Sequence, residues 1–281
     1  MSSRPTGSTA LFLVLAAALL LASCARSSAP HLVASLPESL LDRGAVWRAG
    51  PDGVEQALAL TGLTPDGVEG SVTTGAPAVV LVAHDDVGGV PAQLEARGYR
   101  TVEPPATGWT LLERGALVEE AQVGAPAVGV GPDLVVIGGT DEVVAVARQG
   151  ADSRTPVPVE LLDGADIALV GTPAAVEGRG PVRSAAELPE WQAFAITATS
   201  SDDGAVALRV PGATQDDAVA LSVRVATGVL DGGFAVSSLM RPGAPISEGD
   251  LVLLDVDWLA DPVPTVSAGL DGGLGAILRP M

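Results

Sequence analysis

The stretch VGVGPDLVVIGG, residues 128–139, decides the fold class. Two short apolar runs, 128–130 and 134–137, flank Gly131-Pro132-Asp133, a tripeptide that is typical of a tight turn. Such a turn joins antiparallel strands, because parallel strands need a crossover connection of a dozen or more residues. The stretch therefore predicts a β-hairpin and disfavours a parallel, doubly wound sheet.

The same alternation of strands, turns and helices continues on both sides of the hairpin. Apolar or alternating runs predict strands at 76–86, 99–103, 109–113, 167–170, 192–200, 205–210 and 249–258. Amphipathic patterns predict helices at 37–43, 54–60, 90–97, 141–149 and 214–225, capped in three cases by Asp85-Asp86, Thr140 and Thr214. The predicted fold class is α+β: two similar modules of largely antiparallel sheet with helices packed on one face. The Gly-rich tail from Pro262 is expected to be irregular.

The N-terminus has the three zones of a secretory signal peptide. A polar start with Arg4 precedes twelve apolar residues, 10–21, and small residues lead to Cys24. The apolar run is too short to cross a bilayer comfortably, since about 20 residues are needed. Leu21-Ala22-Ser23-Cys24 resembles the lipobox of bacterial lipoproteins. That resemblance implies that Cys24 is lipidated and becomes the first residue of the mature protein.

The implied anchor sets the expected location of the protein. Two or three acyl chains on Cys24 would hold it durably, whereas one chain alone binds a membrane only marginally. We therefore expect localisation at the cell membrane, lipid-anchored on its extracytoplasmic face. Cys24 is the only cysteine, which excludes an internal disulfide.

Five segments follow along the chain. They are a signal peptide at 1–23, a tether at 24–30, a first module at 31–150, a linker rich in Pro and Asp at 151–166, and a second module at 167–281.

Composition restricts the classes of partner. The formal net charge is −19, which disfavours nucleic acid and anionic lipid headgroups as ligands. The apolar fraction of 47% indicates a folded chain with a core rather than a disordered one. All fifteen basic residues are arginine, and this usage is typical of a GC-rich, actinobacterial genome.

Three stretches in order also resemble uncharacterised actinobacterial surface lipoproteins. They are LTGLTPDGVEGSV at 60–72, VPAQLEARGYR at 90–100 and DLVVIGGTDEVVAVARQ at 133–149. The resemblance covers about 90 residues, and its motifs are packing and turn signatures. It implies a shared fold module and no activity.

His84-Asp85-Asp86 is the first candidate for chemistry. A histidine beside two carboxylates is a candidate general base or half of a metal site. Neighbours on a strand point to opposite faces, however, and capping of the next helix explains the acids without chemistry. The capping interpretation is favoured.

Asp255 and Asp257 are the second candidate. Two residues apart on a strand, they share a face, and with Asp250 and Asp261 they offer the oxygen ligands that Ca²⁺ prefers. A solvated polar face, with Val256 and Trp258 pointing inward, is the favoured alternative.

Other motifs give weaker signals. Gly138-Gly139-Thr140 offers backbone amides to an anion at a helix start, yet no nucleotide-binding motif accompanies it. The chain has no G-x-S-x-G motif for a serine hydrolase. Trp47, Trp109, Trp191 and Trp258 are expected to pack mostly in the core, with Trp191 partly exposed.

These observations favour a non-catalytic binding or scaffold role in the cell envelope, with no enzyme activity and no cofactor. Its partners would be the membrane, through Cys24, and an envelope protein or a small apolar ligand. One alternative is a carrier of a lipid or small apolar ligand. The other is an acid- or metal-dependent hydrolase that uses Asp255, Asp257 and His84.

Overall fold

The computed structural model describes residues 28–114, 126–149, 155–177, 183–230, 233–268 and 274–279. The described helices are α1 (Ser28–Ala34), α2 (Glu38–Leu41), α3 (Glu55–Thr61), α4 (Val90–Ala96), α5 (Thr140–Gln149), α6 (Gln215–Thr227) and α7 (Pro262–Ser267). The strands are β1 (Ala45–Ala49), β2 (Val68–Thr74), β3 (Val80–His84), β4 (Tyr99–Val102), β5 (Thr110–Arg114), β6 (Ala127–Val130), β7 (Leu134–Gly138), β8 (Ile167–Gly171), β9 (Ala193–Ala198), β10 (Asp203–Arg209), β11 (Met240–Glu248) and β12 (Leu251–Trp258).

The twelve strands of the described ranges belong to a single sheet. Their order is β11-β12-β10-β9-β8-β1-β2-β3-β7-β6-β5-β4, and every neighbouring pair is antiparallel. The predicted hairpin is confirmed, because Val130 pairs with Val135 across the turn at 131–133. The chain is therefore an α+β protein with an antiparallel sheet.

The strands of the two predicted modules pair with each other. Trp47 on β1 lies opposite Val72 on β2 at one side and opposite Ala168 on β8 at the other. The ladder is therefore continuous from the first half of the chain into the second. The module boundary at 151–166 stays a prediction, and Val157 and Leu162 from that segment are buried in the core.

Successive side chains of each strand point to opposite faces, and both faces are packed. We call the face that carries Trp47 and Leu81 the front face; helices α1 and α5 pack on it. On the back face, α3 and α4 pack against Val82 at one end of the sheet, and α6 packs against Ile196 at the other. The expectation of helices on one face is therefore wrong for residues 31–150, where helices lie on both.

The three predicted caps have different outcomes. Thr214 caps α6 as expected, in a reciprocal capping box with Asp217. Thr140 is instead the first residue of α5, and its hydroxyl donates to Glu113 at 3.0 Å. Asp85 and Asp86 do not cap α4, because its N-cap is Gly89, without a side-chain hydrogen bond.

The C-terminal tail is more ordered than its glycine content predicts. α7 begins directly after Asp261, whose carboxylate accepts from the Val263 amide at 3.1 Å. A 3₁₀ helix follows at Leu274–Leu278, and all five of its residues are buried. The expectation of an irregular tail is therefore wrong for 262–267 and 274–278.

Tyr99 provides a test of the packing at the β4 edge. It is the only tyrosine and is 5% exposed, and burial raises the pKa of its phenol above the ordinary value, against the opposing effect of Arg114 and Arg97. The phenolate absorbance of the folded protein should therefore titrate at higher pH than that of the urea-unfolded protein. The raised pKa means that stability falls as the pH rises above about 10. Equal midpoints in the two states would contradict the buried placement of Tyr99.

Candidate functional site

A surface cleft lies where β3 ends, and it contains the first sequence candidate. Its volume is about 390 Å³. His84 ends β3, Thr64 follows α3, and Gln93 extends from α4. Asp85 and Asp86 complete the polar part of the lining, so that His84 and both carboxylates border one cavity.

Both ring nitrogens of His84 are held by backbone groups. Nδ1 accepts a hydrogen bond from the Asp86 amide at 2.9 Å, and Nε2 lies 3.0 Å from the carbonyl oxygen of Thr64. Because an amide N–H donates to Nδ1, the proton resides on Nε2, which donates to Thr64. Gly67 permits this arrangement, since a side chain there would overlap with the His84 ring and the Asp85 carboxylate.

These hydrogen bonds determine what the cleft can do. A general base needs a free nitrogen within reach of a substrate proton, and His84 has none. Its side chain is only 4% exposed. The Asp85 carboxylate lies 3.2 Å from Nδ1 and is 69% exposed, so it faces solvent. The hydrogen bonds of His84 therefore connect the end of β3 to the loop after α3.

His84→Ala should accordingly destabilise the fold. The variant leaves the Thr64 carbonyl and the Asp86 amide without their partner, which costs about 2–3 kcal/mol of unfolding free energy. Asp85→Asn, which changes an exposed carboxylate in the same cleft, should shift stability by less than about 0.5 kcal/mol. Urea unfolding of the two variants checks this. Unchanged stability of His84→Ala would show that the ring is not a structural fastener.

Asp255 and Asp257 lie far from this cleft. Six strand-to-strand steps separate β3 from β12 in the sheet, which at about 4.8 Å each is roughly 29 Å. His84 therefore cannot act together with Asp255 or Asp257 on one substrate, and a hydrolase that combines these three residues is excluded.

The acids near Asp255 and Asp257 have separate local contacts. Asp250 accepts from the Gly212 amide at 2.9 Å, and Asp261 caps α7. Within the described ranges, no group of three or more His, Cys, Asp or Glu side chains is placed to hold a metal ion. Asp255 and Asp257 are exposed on the front face, whereas Val256 and Trp258 are 3% and 4% exposed on the back face, as the favoured interpretation predicts.

The remaining sequence candidates are structural in this fold. A side chain at Gly139 would overlap with the Glu142 carboxylate, so an acid lies beside the backbone amides that the sequence offered to an anion. Trp191 is 5% exposed, which contradicts the expectation of partial exposure; its Nε1 donates to the Leu278 carbonyl at 3.0 Å. Trp47 and Trp258 are also buried, and Trp109 is half-buried against Gly129.

A surface that the sequence revealed only in part, through Asp255 and Asp257, lies at the β11 end of the front face. We call it the acidic–apolar face; it consists of Asp203, Ala205, Ile246, Leu253, Asp255 and Asp257. The apolar cluster under the front-face helices includes residues of β9 but none of β10, β11 or β12. Its apolar member Ile246 was missed because β11 contains two prolines and was not predicted as a strand.

Cys24, the predicted lipidation site, lies outside the described residues. None of the helices within the described ranges is long and apolar enough to span a bilayer. Comparison of the chain with protein-family models, with curated proteins and with solved structures finds no match.

Proposed function

We propose that the protein is a lipid-anchored, extracytoplasmic membrane lipoprotein with a non-catalytic binding or scaffold role in the cell envelope. The observation that carries the non-catalytic part is the geometry of His84, whose ring nitrogens both serve backbone groups. The other acid candidates are exposed or engaged in local caps and turns.

The anchor is supported by the N-terminal sequence. The tetrad Leu21-Ala22-Ser23-Cys24 follows an apolar run of the length that a signal peptide needs, and it contains the only cysteine of the chain. Helix α1 begins at Ser28, and its Leu32 and Val33 pack against the front face. The folded domain would therefore lie within a few residues of the membrane surface.

Carriage of an apolar ligand has less support. A carrier needs room between the sheet and its helices, yet the apolar residues of the three core clusters are at most 9% exposed and pack on both faces. The cleft beside His84 is bordered by two carboxylates, which disfavours a lipid there.

Cys24→Ser tests the proposal. Serine lacks the thiol that the lipid would alkylate, so the variant should leave the membrane fraction, while Ser27→Ala should remain in it. Mass spectrometry of the protein extracted from native membranes should find diacylglyceryl and acyl mass on Cys24. An unmodified chain that is cleaved elsewhere would overturn the anchored function.

A further inference from the structure

We propose that the acidic–apolar face docks a basic protein partner, one whose arginine or lysine side chains stand beside apolar ones. This inference rests on the proposed function, because it names the class of protein that the anchored domain would bind. It is carried by a part of the front face on which Ile246 and three aspartates are exposed, whereas Ala205 and Leu253 beside them are half-buried.

The register of three strands defines these rows. Asp257 lies opposite Asp203 on β10 and opposite Arg241 on β11. On the same face of β12, Asp255 lies two residues before Asp257, and Leu253 lies two residues before Asp255. Leu253 pairs with Ile246 on β11. Ile246 is 42% exposed although it is a large apolar side chain. The outward side chains thus change from acidic to apolar along a single strand.

The acidic rows destabilise the free protein. Directly opposed side chains on antiparallel strands have Cβ atoms about 4.5–5.5 Å apart, and like charges there repel. Arg241 offsets only a small part of this repulsion, because it lies 3.9 Å from Asp257 and both side chains are about two-thirds exposed. Among the described residues, neither Asp203 nor Asp255 has a basic partner. A cationic surface would remove the repulsion on binding, while apolar side chains cover Leu253 and Ile246.

Other occupants fit this face less well. Pro242 and Pro245 remove backbone donors from β11, so an added strand would lack a continuous ladder at that edge. A second copy stacked face to face would oppose two sets of carboxylates. Anionic lipid headgroups are repelled by the same charges. A basic protein surface is the occupant whose charge complements the face.

The first experiment measures the free, purified protein. Asp203→Asn removes one of the two opposed charges, leaves the Arg241–Asp257 pair intact and keeps an oxygen that accepts from the Ser201 hydroxyl, as the carboxylate does at 3.0 Å, so Tm should rise by about 1–3 °C. Glu69→Gln makes the same change of charge at an exposed position on β2 and should leave Tm unchanged. If Asp203→Asn lowered Tm or left it unchanged, the repulsion that the partner is inferred to relieve would be absent.

The second experiment locates the partner in native membranes. A photoreactive residue replaces Ile246 in the full-length protein in its native host, and a control replaces Arg100 on the opposite edge strand. We expect an adduct at 246 only, with a protein whose crosslinked segment contains arginine or lysine. The double variant Asp203→Asn, Asp255→Asn should lower its yield about threefold to tenfold, and Glu69→Gln should not.

Other results overturn the inference. The inference fails if no adduct forms at 246, or if the adduct contains lipid or a second copy of the chain. It also fails if the yield of a protein adduct does not change when the aspartates are replaced. Membrane fractionation and the mass of Cys24 are measured in the same cells. A lipidated, membrane-bound protein without the adduct refutes the docking surface and leaves the proposed function standing, whereas an unlipidated, soluble protein refutes the anchor itself.

Discussion

Replacing Arg224 with alanine is expected to lower the free energy of unfolding by about 3–4 kcal/mol. Arg224 lies on α6, is 1% exposed, and is among the largest fully buried side chains of the described protein. Its Nε donates to the Ile277 carbonyl at 2.8 Å, and one terminal nitrogen donates to the Ala186 carbonyl at 2.9 Å. The other terminal nitrogen donates to the carbonyl of Arg279.

The guanidinium holds together segments that are distant in sequence. Burial lowers the pKa of Arg224, yet an arginine stays charged at neutral pH. Within the described part of the chain no carboxylate pairs with it, so the carbonyls alone compensate its desolvation. Alanine removes the donors and leaves a buried acceptor at Ile277, in the 3₁₀ helix 274–278, and a half-buried one at Ala186 without their partner.

Two further variants separate hydrogen bonding from packing. Arg224→Met restores most of the volume without any donor and should recover about 1 kcal/mol of the loss. Arg224→Lys keeps the charge, but one ammonium cannot donate to three carbonyls in the fork geometry of a guanidinium. The unfolding free energy of this variant should therefore stay well below that of the wild type. Urea unfolding ranks the stabilities of the variants. In each variant, the rate of amide hydrogen exchange should rise in the peptide that contains 274–278. A methionine variant as stable as wild type would show that the hydrogen bonds contribute nothing net.

Local sequence patterns were sufficient where an element is strongly periodic. The hairpin at 131–133 and helix α6, with its Thr214 cap, were predicted because turn and cap residues sit directly beside apolar runs. The same signals failed for α4, because Asp85 and Asp86 resemble caps although the chain turns through Gly88 and Gly89 before the helix begins.

Two of the missed strands, β1 and β11, were missed for different reasons. β11 contains Pro242 and Pro245, which ordinarily argue against a strand, yet it is an edge strand that pairs with β12 around a bulge. β1 is only five residues long, and it is central because β2 and β8 flank it. The pairing of β1 with β8 joins residues that are distant in sequence, so no local pattern encodes it, whereas β11 was missed because its prolines outweighed the tight turn that joins it to β12.

The candidate site was predicted only in part, because some of its contacts come from residues that are distant in sequence. His84 and its two acids border a cleft, whereas the sequence favoured helix capping for the acids. The carbonyl that accepts the hydrogen bond from His84 Nε2 belongs to Thr64, twenty residues earlier, and no spacing rule connects the two. Likewise, the burial of Trp191 follows from its hydrogen bond to the Leu278 carbonyl. Leu278 lies in a segment that was expected to be irregular because it is rich in glycine.

Gly204→Ala is expected to lower the unfolding free energy by about 3 kcal/mol. Gly204 lies on β10 between Ala198 on β9 and Val256 on β12. The Trp258 indole passes over it, and its Nε1 donates to the Thr197 carbonyl at 3.2 Å. A Cβ at Gly204 would lie closer than 3.0 Å to both the Thr197 carbonyl oxygen and Trp258 Nε1. The carbonyl is backbone and cannot rotate aside, so the ladder itself must shift.

Gly89→Ala is the matched control, because nothing lies within 4 Å of a Cβ there and its φ of −81° suits any residue. It should be neutral or stabilise by up to about 1 kcal/mol. Trp258→Phe keeps an aromatic ring and loses the N–H, which costs about 1 kcal/mol by itself. In that background Gly204→Ala should cost less than in wild type, since one of the two overlaps is relieved. Equal costs in both backgrounds would assign the whole effect to the Thr197 carbonyl, and a cost near zero would contradict the close crossing of the indole over β10.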